Sequence, residues 1–142
     1  MAVLGQNKTY YLQSTTGEYL SYLVVSEGIE ASYLEANKSE AYPAYIDSSG
    51  HLTLKKSSST STVTLSDEID GQDNLYGVLL NFGTATTGFA FASNGTLTVS
   101  QSNFKGFFAC DNGDYGKQLF WSASAISAPA SCEGVTFARV ST

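Results

Sequence analysis

Histidine and tryptophan occur once each in this chain and cysteine twice, and each scarcity removes a class of chemistry. A closed zinc site uses four ligands. Two cysteines and a single His51, distant from both in sequence, do not supply them. A nucleophilic cysteine or serine needs a base, and His51 is the only imidazole on offer. No G-x-S-x-G elbow surrounds a serine, and no phosphate-cradling glycine loop occurs. His51 stands in a turn and strand near Lys55 and Lys56, the setting of a solvated surface histidine.

Charge is equally sparse. Only 14% of residues are charged, and 13 acidic against 7 basic residues give a formal net charge of −6. With no basic patch to release counterions, nucleic acid and anionic membranes are excluded as expected partners. No apolar run approaches the roughly 20 residues of a membrane span, and nothing in the chain calls for a cofactor. The opening "MAVLGQNKTYYL" shows no basic region followed by an apolar one. The expectation is a mature secreted chain whose leader has been replaced, with cytosolic origin as the alternative.

What the chain does have begins with the placement of its cysteines. Cys110 and Cys132 bracket a loop that contains the sole tryptophan, Trp121. A disulfide between them needs no further partner, whereas two free buried thiols are the competing reading. As a bridge, the pair would stabilise by about 3 kcal/mol through loop closure and would favour an oxidising compartment. Three Asn-x-Ser/Thr acceptor patterns, at Asn7, Asn37 and Asn94, lean the same way.

Short segments rich in β-branched and aromatic residues run from "KTYYLQS" to "VTFARV", bounded by Gly, Asn, Asp or Ser. Their gaps are too short for crossover helices, so the expected fold is all-β and mainly antiparallel. Residues 1–142 read as a single compact barrel or sandwich, with a β-trefoil as the alternative. Leu52 and Leu54 alternating with His51, Thr53 and Lys55 suggest one dry and one wet face. The stretch "SYLEANKSEAY", 32–42, is the one candidate helix, balanced against loop. The Ser/Thr-rich run 55–74 reads as an exposed loop or edge strand with a long mobile connection, and more sharply as a binding loop. Gly17, Gly50 and Gly95 each precede an apolar strand pair, but spacings of 33 and 45 are uneven for a threefold repeat.

Carboxylates cluster at Asp67, Glu68, Asp70 and Asp73, and again at Asp111 and Asp114, where Asn112 adds a further oxygen. Neither group matches the calcium-loop spacing, and both sit in turn-like contexts, so no metal site and no catalytic pair is expected. Aromatics are the remaining resource. Seven tyrosines precede residue 46. Strand alternation cannot bury them all, and Tyr10, Tyr19, Tyr22 and Tyr33 are candidates for an interaction surface that meets sugar rings, a partner protein or a second copy of the chain.

The stretch "GFFACDNGDYGKQLFW", with the "GTL" of Gly95–Leu97, the "F-x-A-C" of Phe107–Cys110, the "LFW" of Leu119–Trp121 and the closing "CEGVTFARV", resembles a family of small ascomycete secreted cell-wall proteins. That family includes the phialide-type cell-wall protein and related IgE-binding fungal antigens, and the likeness covers roughly residues 88–140. It implies a secreted all-β protein of the wall or the medium without an assigned catalytic site, in which Cys110, Cys132 and Trp121 are structural. Trp121 would then be core, close to the bridge that pins the last strands. The expected function is a non-catalytic structural or interaction role at a fungal surface, with cell-wall polysaccharide or another protein as partner. A carbohydrate-binding module or lectin is the second reading and a hydrolase the third.

Overall fold

A computed structural model describes residues 8–26, 28–72 and 74–142, with the side chains of 68–72 outside the description. The elements are strands β1 (Tyr10–Ser14), β2 (Tyr19–Ser26), β3 (Ile29–Glu35), β4 (Ala44–Ile46), β5 (Leu52–Lys55), β6 (Thr60–Gln72) and β7 (Leu75–Leu80). They continue with β8 (Phe89–Phe91), β9 (Leu97–Val99), β10 (Gly106–Asp111), β11 (Lys117–Ser122), β12 (Cys132–Val135) and β13 (Phe137–Ser141). The fold is all-β and antiparallel throughout these pairings, as composition and spacing predict.

The pairings repeat three times. Three hairpins, β2–β3, β6–β7 and β10–β11, meet edge to edge through β3–β7, β7–β11 and β11–β3. Six further strands join as β1–β13, β4–β5 and β8–β9. Three contacts close these into a ring: the Tyr10–Ala44 bridge between β1 and β4, the Phe89 N–H donating to the Gly50 carbonyl at 3.1 Å, and the Arg139 N–H donating to the Gly95 carbonyl at 3.0 Å. A six-stranded ring capped by three mutually paired hairpins is the plan of a β-trefoil, and closure removes most exposed edges. β12 is an addition, paired to the outer side of β10.

The core follows the same threefold order. Each hairpin contributes a cross-strand pair to one cluster: Leu20 with Leu34, Val63 with Leu80, and Phe107 with Trp121. Leu12, Leu54, Phe89, Leu97 and Phe137 fill it from the ring. Fully burying a side chain of this kind stabilises by roughly 1.5–3 kcal/mol. Trp121 is 3% exposed, and its indole N–H donates to the Ser66 carbonyl at 2.8 Å, fixing one hairpin against its neighbour.

Local pattern and tertiary context part company at several points. Residues 32–42 form no α-helix. Instead 29–35 is β3, and only a 3-10 turn at Lys38–Glu40 follows, because β3 is held on its two sides by β2 and by β7 and β11. The Ser/Thr-rich run divides: Ser57–Ser59 are an exposed loop as expected, Thr60–Thr62 of β6 pair with β5, and from Val63 onward the strand pairs with β7. Ser61 is fully buried there, its hydroxyl donating to Glu30 at 3.2 Å and accepting from Asn81 at 3.1 Å, so a small polar residue fits where a dry strand would be expected. Thr53, read as wet, is 2% exposed because β4 and β6 flank it.

Gly50 and Gly95 occupy equivalent turns, β4–β5 and β8–β9, at φ +84° and +90°. In each, the glycine N–H bonds back three residues, to Asp47 and Ala92 respectively. Gly17 heads the same kind of turn but joins β1 to β2, a non-equivalent place. The repeat is thus the 45-residue interval, and the 33-residue one is not part of it. A Cβ on Gly50 would stand 3.0 Å from the Gly88 nitrogen, whereas one on Gly17 meets nothing within 4 Å. Both substitutions bear the left-handed backbone penalty of about 1 kcal/mol. Gly50→Ala is therefore expected to cost at least about 1 kcal/mol more than Gly17→Ala in denaturant unfolding. Equal losses would show that the ring relaxes freely at that closure.

Cys110 and Cys132 form a disulfide and stand opposite each other in the β10–β12 register. Trp121 is core as expected, but not beside the bridge. The bridge packs with Phe108, Phe120 and Leu75 on one face of the hairpin, and Trp121 lies with Phe107 on the other, since the side-chain period of a strand is two. The double change Cys110→Ser, Cys132→Ser should lose about 3 kcal/mol and lower Tm by roughly 10 °C. Unreduced native protein should resist alkylation by intact mass.

Candidate functional site

The third edge of the hairpin triangle brings distant residues together. In the β3–β11 ladder Tyr33 is paired with Gln118, 85 positions away. The Tyr33 hydroxyl donates to Gln118 Oε1 at 3.1 Å, and Asn112 Nδ2 donates both to Gln118 Oε1 at 3.1 Å and to the Tyr33 hydroxyl at 2.5 Å. Tyr33 is 1% and Gln118 8% exposed, so the network is the floor of a depression. Asn112 spends its amide nitrogen on this floor, while its Oδ1 accepts no hydrogen bond from the described residues.

Apolar side chains stand around that floor. Among the described residues three large apolar side chains are exposed, Val24 at 63%, Val25 at 47% and Tyr115 at 69%, and all three line this one cleft of about 300 Å³ together with Leu23. The valines are presented by a bulge: Val24 pairs with Glu30 and Ser26 with Ile29, leaving Val25 as an extra residue in β2. Tyr115 comes from the 3-10 turn Gly113–Tyr115 between β10 and β11. Since β3 runs between β2 and β11, the valines and Tyr115 flank Tyr33 from opposite sides. Among the described residues no carboxylate, lysine, histidine or cysteine lines the cleft.

The tyrosines expected to form one surface are dispersed. Tyr10 is half-buried against Phe91, with Arg139 and Lys8 over its ring. Tyr19 packs edge-on to Tyr11, and Tyr22 lies against Tyr42 with Lys56 4.3 Å from its ring centre. Tyr33 is not a surface residue at all: β2 and β11 flank its strand, and it is 1% exposed at the base of the cleft. Of the glycosylation candidates, Asn37 and Asn94 are exposed, and Asn7 lies outside the described residues. Asp111 and Asp114 are exposed beside the cleft, and Asp67 is exposed on β6. Asp73 and the side chains of Glu68 and Asp70 fall outside the description. Among the described residues no group of three His, Cys, Asp or Glu side chains could hold a metal ion, and no helix is long and apolar enough to cross a membrane. His51 is not simply solvated: its ring Nδ1 lies 2.9 Å from Asp47. Burial raises the Asp47 carboxyl, but hydrogen bonds from the His51 and Ser49 backbones and the His51 ring outweigh it and hold the group below its ordinary value.

Val24, Val25, Tyr115 and Gln118 were not among the sequence candidates, and Asn112 was considered only as an oxygen ligand beside Asp111 and Asp114. The doublet Val24-Val25, which breaks the alternation of "EYLSYLVV", was the one local signal available.

Fold and cleft together define a β-trefoil domain with an aromatic-flanked depression on one seam of its hairpin cap. The chain belongs to the family described as Domain of unknown function (DUF7907), whose model matches residues 3–141. No curated protein and no solved structure matches it.

Below the cleft on the same seam, Lys117 pairs with Leu34 in register and reaches Glu18 at 3.0 Å and Glu133 at 3.3 Å. The hydrogen bond to Glu18 is the main cause of its raised pKa, opposed by burial. Glu35 is pushed above its ordinary value by burial first and then by the charge of Glu40, with which it shares a hydrogen bond, and by Glu18. For an acid whose folded pKa is raised, the folded state holds the proton more tightly than the unfolded one, so stability falls as pH rises from the ordinary value of 4.5 through the folded value. Glu35→Gln should therefore raise Tm at neutral pH, with the gain shrinking below pH 4.5 in a melting series across pH.

Proposed function

We propose that this chain is an extracellular, non-catalytic binding domain with an interaction role at a fungal cell wall or in the surrounding medium. The observation that carries the reading is the convergence of the exposed Val24, Val25 and Tyr115 on one cleft. Exposed apolar surface gathered around buried polar groups is the usual form of a recognition site. The described lining offers hydrogen-bonding amides and tyrosine hydroxyls but no carboxylate pair or imidazole base, which favours holding a partner over transforming it. The Cys110–Cys132 bridge and the exposed acceptor sites Asn37 and Asn94 support an oxidising, secretory setting. The resemblance of 88–140 to ascomycete wall proteins supports the fungal surface.

Co-sedimentation with insoluble fungal cell-wall material tests this. The native protein should be retained. Tyr115→Ala with Val24→Ser should lower the retained fraction about tenfold, the scale of losing one or two central apolar anchors, while leaving Tm unchanged because both side chains are exposed. Retention that ignores these changes, or no retention at all, would remove the reading.

A further inference from the structure

We infer that the cleft takes a neutral sugar residue bearing an acetamido group. This rests on the cleft being a binding site, and adds the class of ligand. Three features of the lining converge on that chemistry.

Tyr115 is 69% exposed and its ring meets no other aromatic ring of the described residues, so one face is free to lie against the C–H face of a pyranose. On the other flank of Tyr33, Val24 and Val25 form an aliphatic patch that sugar hydroxyls cannot cover without losing water, whereas a methyl group can. Between them, Asn112 presents an Oδ1 without a partner among the described residues, its Nδ2 being committed to Tyr33 and Gln118. That acceptor is oriented by a buried network while Asn112 itself is exposed, so it is open to a donor from a ligand, and an acetamido N–H is one. An acetamido sugar supplies the stacking face, the donor and the methyl together. A plain hexose supplies only the first and a hydroxyl in place of the second.

The described lining residues carry no charge, which favours the same class. A cationic ligand would find no carboxylate among them, and an anionic one would find no lysine or arginine there and would meet a chain of net charge −6. A cavity of about 300 Å³ lies at the small end of ligand sites, which suits a single sugar unit within a longer chain.

Two disaccharides isolate the acetamido group, because N,N′-diacetylchitobiose and cellobiose share ring stereochemistry and linkage and differ in that substituent. Each is titrated at millimolar concentration into the full-length protein, with amide chemical shifts as the readout. Saturable shifts at Val24, Val25, Asn112 and Tyr115 are expected with the acetamido disaccharide, and at least tenfold weaker binding with cellobiose. Tyr115→Phe should retain binding, and Tyr115→Ala and Asn112→Ala should each weaken it by about tenfold or more. Equal binding of the two sugars, shifts confined to another surface, or no shift with either overturns the inference. Retention on wall material that depends on Tyr115 but survives without any disaccharide response overturns this inference alone. Loss of wall retention as well overturns the binding reading beneath it.

Discussion

The ladder between β3 and β11 is the constraint on which both the fold and the cleft depend. It is short, with Lys117 opposite Leu34 and Gln118 opposite Tyr33, yet it closes the triangle of hairpins that β3–β7 and β7–β11 leave open. Without it, the first and third hairpins would each keep an unpaired edge above a shared core, and buried backbone groups would need other partners. The same two register pairs set the chemistry. Leu34 goes inward to the common cluster, while Tyr33 and Gln118, one step along and therefore on the other face, meet in a hydrogen bond at the base of the cleft. A one-residue slip would exchange the two faces, putting a tyrosine hydroxyl into the apolar core.

Threefold closure also explains why so charge-poor a chain needs so little else. Its ring is shut by backbone donors reaching the carbonyls of Gly50 and Gly95, and its cap by Trp121 reaching the Ser66 carbonyl. These are neutral bonds, and the Trp121 one is buried, where a missing partner would cost more than a typical bond contributes. The charged groups instead sit around the rim. Lys56, held by both oxygens of Glu30 at 2.8 Å, also covers the ring of Tyr22, so one cation shields an aromatic and neutralises an acid near the buried hydroxyl of Ser61. The disulfide belongs to the same economy of position. It fastens β12, the strand outside the threefold plan, to β10, whose pairing is otherwise satisfied on its β11 side.

Much of this fold can be read from the chain, and what cannot is lost for identifiable reasons. Strands such as "HLTLKK" and "GFFAC" declare themselves because alternation and a flanking glycine are local properties. β3 does not, since "IEASYLE" holds Ala, Leu and Glu in proportions that also suit a helix, and only its neighbours on both sides decide. The threefold repeat is obscured because one kind of turn serves two purposes: at Gly50 and Gly95 it joins ring strands, and at Gly17 it leads from the ring into a hairpin. The disulfide was within reach of elimination among two cysteines. Its separation from Trp121 was not, since which face a residue takes depends on the strand register.

The cleft was the least legible part, and the physical cause is the nature of its parts rather than their rarity. Tyrosine counts pointed to the first third of the chain, where most rings turn out to be tied up: Tyr10 with Phe91 and Arg139, Tyr19 with Tyr11, Tyr22 with Tyr42 and Lys56. An aromatic already in such contacts has lost most of the surface it could offer a ligand. Tyr115 stands apart because a short 3-10 turn between paired strands gives its ring no neighbouring sheet face to pack on. Val24 and Val25 are left out by the bulge, which rotates two successive residues away from the interior at the end of an otherwise alternating strand. Both irregularities are local failures to bury apolar surface, and the β3–β11 seam gathers them around a satisfied polar floor. A domain that closes three hairpins on one another buries nearly every large side chain it has. Among the described residues the large apolar side chains left exposed face one another across a single seam, and the proposed binding role rests on that arrangement.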